Sequence, residues 1–278
     1  MKKIILGASG MLGHMVFYYF KKKYNQDVVP CSRSLSNSAT LDKILIKIPE
    51  YSKTDLSNLI ENNRPCKVIN CVSVNDLKSG KEKLKLINSE LPKLLVSILD
   101  SKNDGSQLIH ISTNGVFSGK KGNYIETDQP DPINIYGESK LKGEVTHSPH
   151  ITIRTSIIGP ELKSNIGLLS WFLKQQNEIT GYTKVKWNGV TTLECAKFID
   201  WAINQKLNGL VHLFSKKISK YDLLNIAKDV YQKKIKINLD DSIVSDITLN
   251  TSRSDINYSV PTHSEMLTEL KDVSFSDF

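Results

Sequence analysis

Three glycines at three-residue steps, placed directly behind a short apolar run, constrain this chain more than any other feature. In the opening segment KKIILGASGMLGHMVFYYF, residues 3–6 read as a buried strand, Gly7, Gly10 and Gly13 follow, and Leu12, Val16, Tyr19 and Phe20 recur at helical spacing. A strand that turns on glycine into a helix has a specific physical use. Gly7 permits the turn, Gly10 lets backbone approach a pyrophosphate, and Gly13 allows the helix to pack closely on the strand. The unpaired N–H groups at the helix start then attract phosphate. The motif in this context predicts a dinucleotide cradle formed by Gly7, Ser9, Gly10, Met11, Leu12 and Gly13.

The rest of the chain continues the same rhythm. Strands are expected at 28–31, 44–48, 67–72, 108–112 and 151–156, alternating with helices at 56–62, 84–99 (Pro92 marking a kink or restart) and 136–144. This alternation predicts an α/β fold, a doubly wound parallel sheet of the Rossmann kind, with a smaller C-terminal substrate-binding region. The expected division is a dinucleotide-binding domain over 1–159, with returning elements near 186–214, and a substrate-binding region from 160–185 and 215–278. Past Gly159 helices are expected at 168–174, at 193–203 with Thr192 as cap, and at 221–231, with a strand at 210–214. The tail after Ile235 reads as polar and mixed.

The second strand ends in VVPCSRSLS. A carboxylate there would bind the adenosine 2′-hydroxyl, whereas an arginine accommodates a 2′-phosphate. The chain has Ser32 and Arg33 and no acid, which favours NADPH and leaves NADH open as an alternative.

Candidate chemistry comes from two further segments. In INIYGESKLKGE, Tyr136 and Lys140 stand four apart and share one helix face. By itself that pair also fits a solvated helix face. Beside a hydride source it becomes a proton donor and its tuner, because an ammonium near a phenol favours phenolate and lowers the phenol's pKa. In LIHISTNGVFSG, Ser112 and Thr113 end a strand at the sheet edge where ligands bind, and Thr113 can hydrogen-bond a substrate carbonyl.

With these residues in view, the chain resembles the extended short-chain dehydrogenase/reductases, and within them the dTDP-4-dehydrorhamnose reductase-like group. The resemblance rests on G-x-x-G-x-x-G at Gly7–Gly13, on S-T-x-x-V-F-x-G from Ser112 to Gly119, and on the run GNYIETDQPDPINIYGESKLKGE. It is strongest up to about Gly159. It implies Thr113, Tyr136 and Lys140 as the catalytic set: Tyr136 as proton donor, Lys140 on the nicotinamide ribose, and Thr113 at the keto oxygen. It also implies that Cys71, Val72 and Ser73 line the cofactor, and that a 4-keto-6-deoxy nucleotide sugar is reduced.

Departures from the family pattern narrow this reading. Nucleotide-sugar dehydratases carry an acidic pair after the threonine, and reductases that also epimerise carry a cysteine two residues after the catalytic hydroxyl. Asn114 and Gly115 stand at these places, so pure reduction is favoured. The expected substrate is a UDP-2-acetamido-2,6-dideoxy-L-hexulose or a dTDP-4-dehydro-L-rhamnose, with Thr113, Asn114, Arg154 and Arg253 as candidate contacts. Trp171 and Trp187 are read either as pocket walls or as core. Two alternatives stay open: a non-catalytic regulatory subunit of the same fold, as serves methionine adenosyltransferase, and a nucleotide-sugar epimerase.

Composition excludes other partners. The 37 basic and 29 acidic residues leave a net charge of +8. Yet the arginines are only Arg33, Arg64, Arg154 and Arg253, with no cluster and no aromatic-interleaved basic run, so nucleic acid is not expected. Cys31, Cys66, Cys71 and Cys195 show no C-x-x-C pair, and His110, His147, His150, His212 and His263 show no ligand spacing, so no metal is expected. The glycines and Lys21–Lys23 break the apolar N-terminal stretch as no signal peptide would be broken. A cytoplasmic protein without membrane contact is expected, and a homodimer is left open.

Overall fold

A computed structural model describes residues 1–76, 79–163 and 166–273. In chain order the first half comprises β1 (Lys2–Leu6), α1 (Met11–Tyr24), β2 (Val28–Ser32), α2 (Ala39–Ile44), β3 (Ile46–Lys47), α3 (Lys53–Glu61) and β4 (Cys66–Asn70). Next, α4 (Lys81–Leu84) runs through a π-helical stretch, Lys85–Glu90, into α5 (Leu91–Leu99), followed by β5 (Gln107–Thr113), α6 (Ile135–Lys142), β6 (Ile151–Thr155) and β7 (Ile157–Ile158). The second half comprises α7 (Leu168–Lys174), β8 (Glu178–Tyr182), β9 (Val185–Trp187), β10 (Val190–Thr191), α8 (Thr192–Asn204), β11 (Gly209–His212), β12 (Ile218–Ser219), α9 (Lys220–Val230), β13 (Lys236–Asp240), β14 (Ser245–Asp246) and α10 (His263–Lys271).

Seven strands form one sheet in the order β11-β6-β5-β4-β1-β2-β3, and every pairing in it is parallel. Because strand side chains alternate between faces, β1 sends Ile5 to one side, where it joins Phe17 and Phe20 of α1 and Phe198 and Ile199 of α8. Ile4 and Leu6 point to the other side, against Leu56 of α3 and Leu91 and Leu95 of α5. The strand order reverses between β1 and β4, and a crevice opens there at the strands' carboxyl ends. A third cluster, with Phe172, Trp187, Leu223 and Leu267, fills the C-terminal elements. Among the described residues no helix is long and apolar enough to cross a membrane.

Several expected boundaries move. The predicted strand at 44–48 shrinks to two residues, because Ser38 caps a helix that consumes Ile44. Thr191, one residue before the expected Thr192, caps α8 by accepting from the Glu194 amide. The restart at Pro92 is a π-helical stretch just before it, with Pro at the start of α5 where its missing N–H costs least. The tail read as mixed contains β13, which pairs with β8 in parallel, and α10, closed by a capping box between Thr262 and Glu265.

Candidate active site

The glycine segment forms a tight cradle. Gly7 lies at φ +80° and, with Ala8, donates its amide to the Cys31 carbonyl at 2.8 and 3.0 Å. A Cβ on Gly13 would lie 2.0 Å from the Gly7 oxygen, so only glycine lets α1 approach β1 this closely. Helix α1 starts at Gly10 with no side-chain cap and no acid in its first turn. By contrast α3, α6, α8, α9 and α10 are each capped by a serine, asparagine or threonine. An uncapped N-terminus beside close-approach backbone is what a pyrophosphate requires, so the residues present fit a dinucleotide.

The groove over this cradle is lined by Gly7, Ser9, Gly10, Met11, Ser32, Arg33, Cys71, Val72 and Ser73, all expected from the sequence. The Leu12 side chain points into the core beneath α1 rather than into the groove. Ser34, Tyr51 and the segment Glu161, Leu162 and Lys163 also line the groove and were not anticipated. Ser34 directly follows Arg33, whereas Tyr51 and the segment from Glu161 to Lys163 arrive from distant loops that no sequence signal marks.

At the carboxyl edge, Asn134 caps α6 by accepting from the Gly137 amide, which places Tyr136 and Lys140 on the face toward β5. The Tyr136 phenol lies beside Ser73 and Thr113, while the Thr113 Oγ accepts from the Gly115 amide at 3.0 Å. A Cβ on Gly137 would lie 2.2 Å from the Gly115 oxygen, and one on Gly143 would lie 1.9 Å from the Asn88 oxygen. Both glycines therefore let α6 seat against the Thr113 turn and the π-helical stretch. From that stretch Asn88 donates to Ser139 Oγ and the Val74 carbonyl, tying α6 to the loop after β4.

Lys140 is fully buried. Its ammonium donates to the Ile111 carbonyl at 2.7 Å and faces His110 Nε2 at 3.5 Å. The hydrogen bonds behind His110 fix its tautomer. Asn70 Oδ1 accepts from the Val72 amide, so Asn70 Nδ2 donates to His110 Nδ1 at 3.2 Å, leaving the ring proton on Nε2, toward Lys140. Burial pulls Lys140 down to about 8, against the opposing pull of Glu144 and Cys71, and pulls His110 well below its ordinary value. One expectation is corrected here. Burial pushes the Tyr136 phenol up, with Ser73 and Thr113 opposing it, so the net direction is upward rather than down. Lys140 is turned toward the β5 backbone instead.

The candidate substrate contacts are placed differently from the expectation. Arg154 is buried in a bidentate pair with Glu144, at 2.8 and 2.7 Å, while Glu144 also accepts from Ser112. Arg253 donates to the Asn208 and Leu210 carbonyls at the start of edge strand β11 and pairs with Asp255. Asn114 donates to the Ile247 carbonyl, which ties the turn after β5 to the C-terminal region. All three side chains thus serve internal contacts. Trp187 is core, donating to Ser156 Oγ, and Trp171 is partly exposed.

The histidines include one grouping that spacing did not suggest: His147 and His150 both reach Asp100, at 3.1 and 2.9 Å. His150 Nδ1 accepts from the Leu108 amide, so its ring proton lies on Nε2 and is donated to Asp100. That protonated nitrogen has no lone pair for a metal. The group lies at the amino edge of the sheet, opposite the groove.

A parallel sheet crossed at its switch point by a glycine cradle, with Tyr136, Lys140 and Thr113 at the carboxyl edge, defines an extended short-chain dehydrogenase/reductase. Residues 1–245 match the family described as RmlD substrate binding domain. The chain belongs to this family, the dTDP-4-dehydrorhamnose reductase-like branch of that superfamily. It is 31% identical over 164 residues to a dTDP-4-dehydrorhamnose reductase of Burkholderia thailandensis, covering 56% of this chain and 50% of that protein. It is 28% identical over 141 residues to methionine adenosyltransferase 2 subunit beta of Danio rerio, covering 51% of this chain and 42% of that one. The chain thus spans about half the length of the curated relatives it matches. Among solved structures, a hypothetical dTDP-4-dehydrorhamnose reductase from Sulfolobus tokodaii superposes with a TM-score of 0.76 at 26% identity, covering 91% of this chain and 93% of that one.

Proposed function

We propose that the chain is an NADPH-dependent reductase of a 4-keto-6-deoxy nucleotide sugar, of the UDP-2-acetamido-2,6-dideoxy-L-hexulose or dTDP-4-dehydro-L-rhamnose type. The carrying observation is Tyr136 beside Thr113 at the carboxyl edge, both within 4.0 Å of where a Gly115 Cβ would stand, and beside Ser73, which lines the groove over the glycine cradle. The bound dinucleotide supplies hydride. Thr113 and Tyr136 receive the keto oxygen. As the carbonyl carbon is reduced, the Tyr136 O–H bond breaks and its proton passes to that oxygen, leaving an alcohol and a phenolate. Lys140, one helical turn away, would hold the nicotinamide ribose.

Gly115 supports reduction without epimerisation or dehydration. A side chain there would point at Thr113 Oγ1 and the Tyr136 ring, 3.3 and 4.0 Å from its Cβ. Glycine leaves no acid or thiol at that spot, and burial pushes the nearby Cys71 thiol up to about 12. Ser32 and Arg33, with no acid at the end of β2, support NADPH over NADH. The proposed substrate side is the C-terminal region, 160–185 and 215–278.

The test is turnover of purified protein with NADPH and UDP- or dTDP-linked 4-keto-6-deoxyhexoses, followed by nicotinamide absorbance. Consumption lost in Tyr136→Phe supports the reading; no consumption with either sugar overturns it. The similarity to methionine adenosyltransferase 2 subunit beta favours a second reading, a binding subunit without turnover. That reading predicts stable association with a partner enzyme and no effect of Tyr136→Phe.

A further inference from the structure

The end of β2 carries more than Arg33. Ser9 and Ser32 hydroxyls lie 2.5 Å apart at the mouth of the cradle. Lys163, on the segment between β7 and α7, reaches across the groove and donates to Ser34 Oγ at 2.7 Å and Ser9 Oγ at 3.3 Å. Ser34 and Lys163 are 129 residues apart in sequence. Three hydroxyls and two cations therefore converge where an NAD-binding enzyme of this fold would place a carboxylate.

The nearby acids are engaged elsewhere. Asp42 accepts from the amide and hydroxyl of Ser36, at 2.5 and 2.7 Å, and Glu161 accepts from the Gly167 amide. Burial pulls the Lys163 ammonium down, Asp42 opposes this, and Arg33 adds to it by like-charge repulsion. Two cations held close together around neutral hydroxyls are relieved by a dianion accepting from all of them.

We infer that Lys163 is a second cation for the 2′-phosphate of the cofactor, so that Arg33 and Lys163 grip it from two distant segments and Ser9, Ser32 and Ser34 donate to its remaining oxygens. This inference rests on the dinucleotide reading of the groove and deepens it. It makes Lys163 a specificity-determining residue for the phosphorylated cofactor, contributed by the part of the chain proposed to hold the sugar.

The test is an equilibrium titration of the full chain with NADPH, NADH and adenosine 2′,5′-bisphosphate, requiring no sugar. A charge-assisted hydrogen bond of ordinary strength corresponds to roughly tenfold in affinity. Lys163→Ala should weaken NADPH and the bisphosphate by about that factor and leave NADH within about twofold, and Lys163→Arg should restore most of the loss. Unchanged NADPH affinity in Lys163→Ala, or equal weakening of NADPH and NADH, overturns the inference, as does a wild-type chain that binds both equally. If the titration discriminates as expected but no nucleotide sugar is reduced, the proposed substrate falls and the phosphate site stands.

Discussion

Both edges of the seven-stranded sheet hold paired charges, but the carboxyl edge also holds a buried cation bonded to no carboxylate. At the amino edge, Arg64 pairs with Asp104 and Glu61 and donates to the Ile98 and Leu99 carbonyls, and Asp100 takes both His147 and His150. At the carboxyl edge, Lys140 is fully buried, bonded to a carbonyl rather than a carboxylate, and faces a neutral histidine. Pairing lowers the cost of a charge and makes it part of the fold. A buried lysine left unpaired costs stability, and proteins keep such groups where a ligand or reaction uses them.

The sharpest way to break this contrast is Tyr136→Phe. It should lower turnover by about 10²- to 10⁴-fold, the usual worth of a positioned proton donor, with little change in melting temperature. A rate within twofold of wild type would remove the chemical meaning of the carboxyl edge. Next is Arg154→Met, which tests a paired charge lying close to the same edge. With both side chains nearly inaccessible, loss of the arginine strands Glu144 and should cost about 3–5 kcal/mol in a urea melt. A loss below about 1 kcal/mol would mean that water or a rearranged neighbour compensates Glu144.

Lys140→Met should move stability the other way. Because the folded pKa, about 8, lies below the unfolded value, folding is penalised wherever the unfolded lysine is protonated. The penalty grows as pH falls from the unfolded value to about 8 and is constant below that. At neutral pH the variant should therefore gain on the order of 2–3 kcal/mol while losing turnover, and the gain should shrink above about pH 8. A destabilised variant would show that the Ile111 contact outweighs burial.

The smallest effect is expected at Asp100→Asn. Burial raises this carboxyl, but hydrogen bonds from His147 and His150 outweigh it and hold the group low. Its contribution is present above the unfolded pKa and is lost as pH falls through the folded one. Partial exposure limits it to below about 1 kcal/mol at neutral pH. Melts of both proteins from neutral to acidic pH should converge; a constant gap would place the effect in packing.

What could be read in advance follows the range of the interactions involved. The cradle and the Tyr136–Lys140 pair depend on backbone and helix geometry within a few residues, so Gly7, Gly10, Gly13, Tyr136 and Lys140 announce themselves. The alternation that predicts a parallel sheet is equally local. For Arg154, Arg253 and Asn114 the sequence shows a side chain's charge and polarity but not the internal partner it meets in the fold. Lys163 is the converse: a lone lysine in a loop has no pattern until the groove brings Ser9 and Ser34 to it.

The sequence by itself determined the dinucleotide cradle, the doubly wound order and the reacting hydroxyls, because each follows from steric rules acting between near neighbours. Only the tertiary structure decided which charges are free to act. Glu144 takes Arg154, Asp255 takes Arg253, and the Asn70–His110 pair meets Lys140 through contacts between distant strands, loops and helices. Burial and pairing set a group's charge, and both belong to the packed chain.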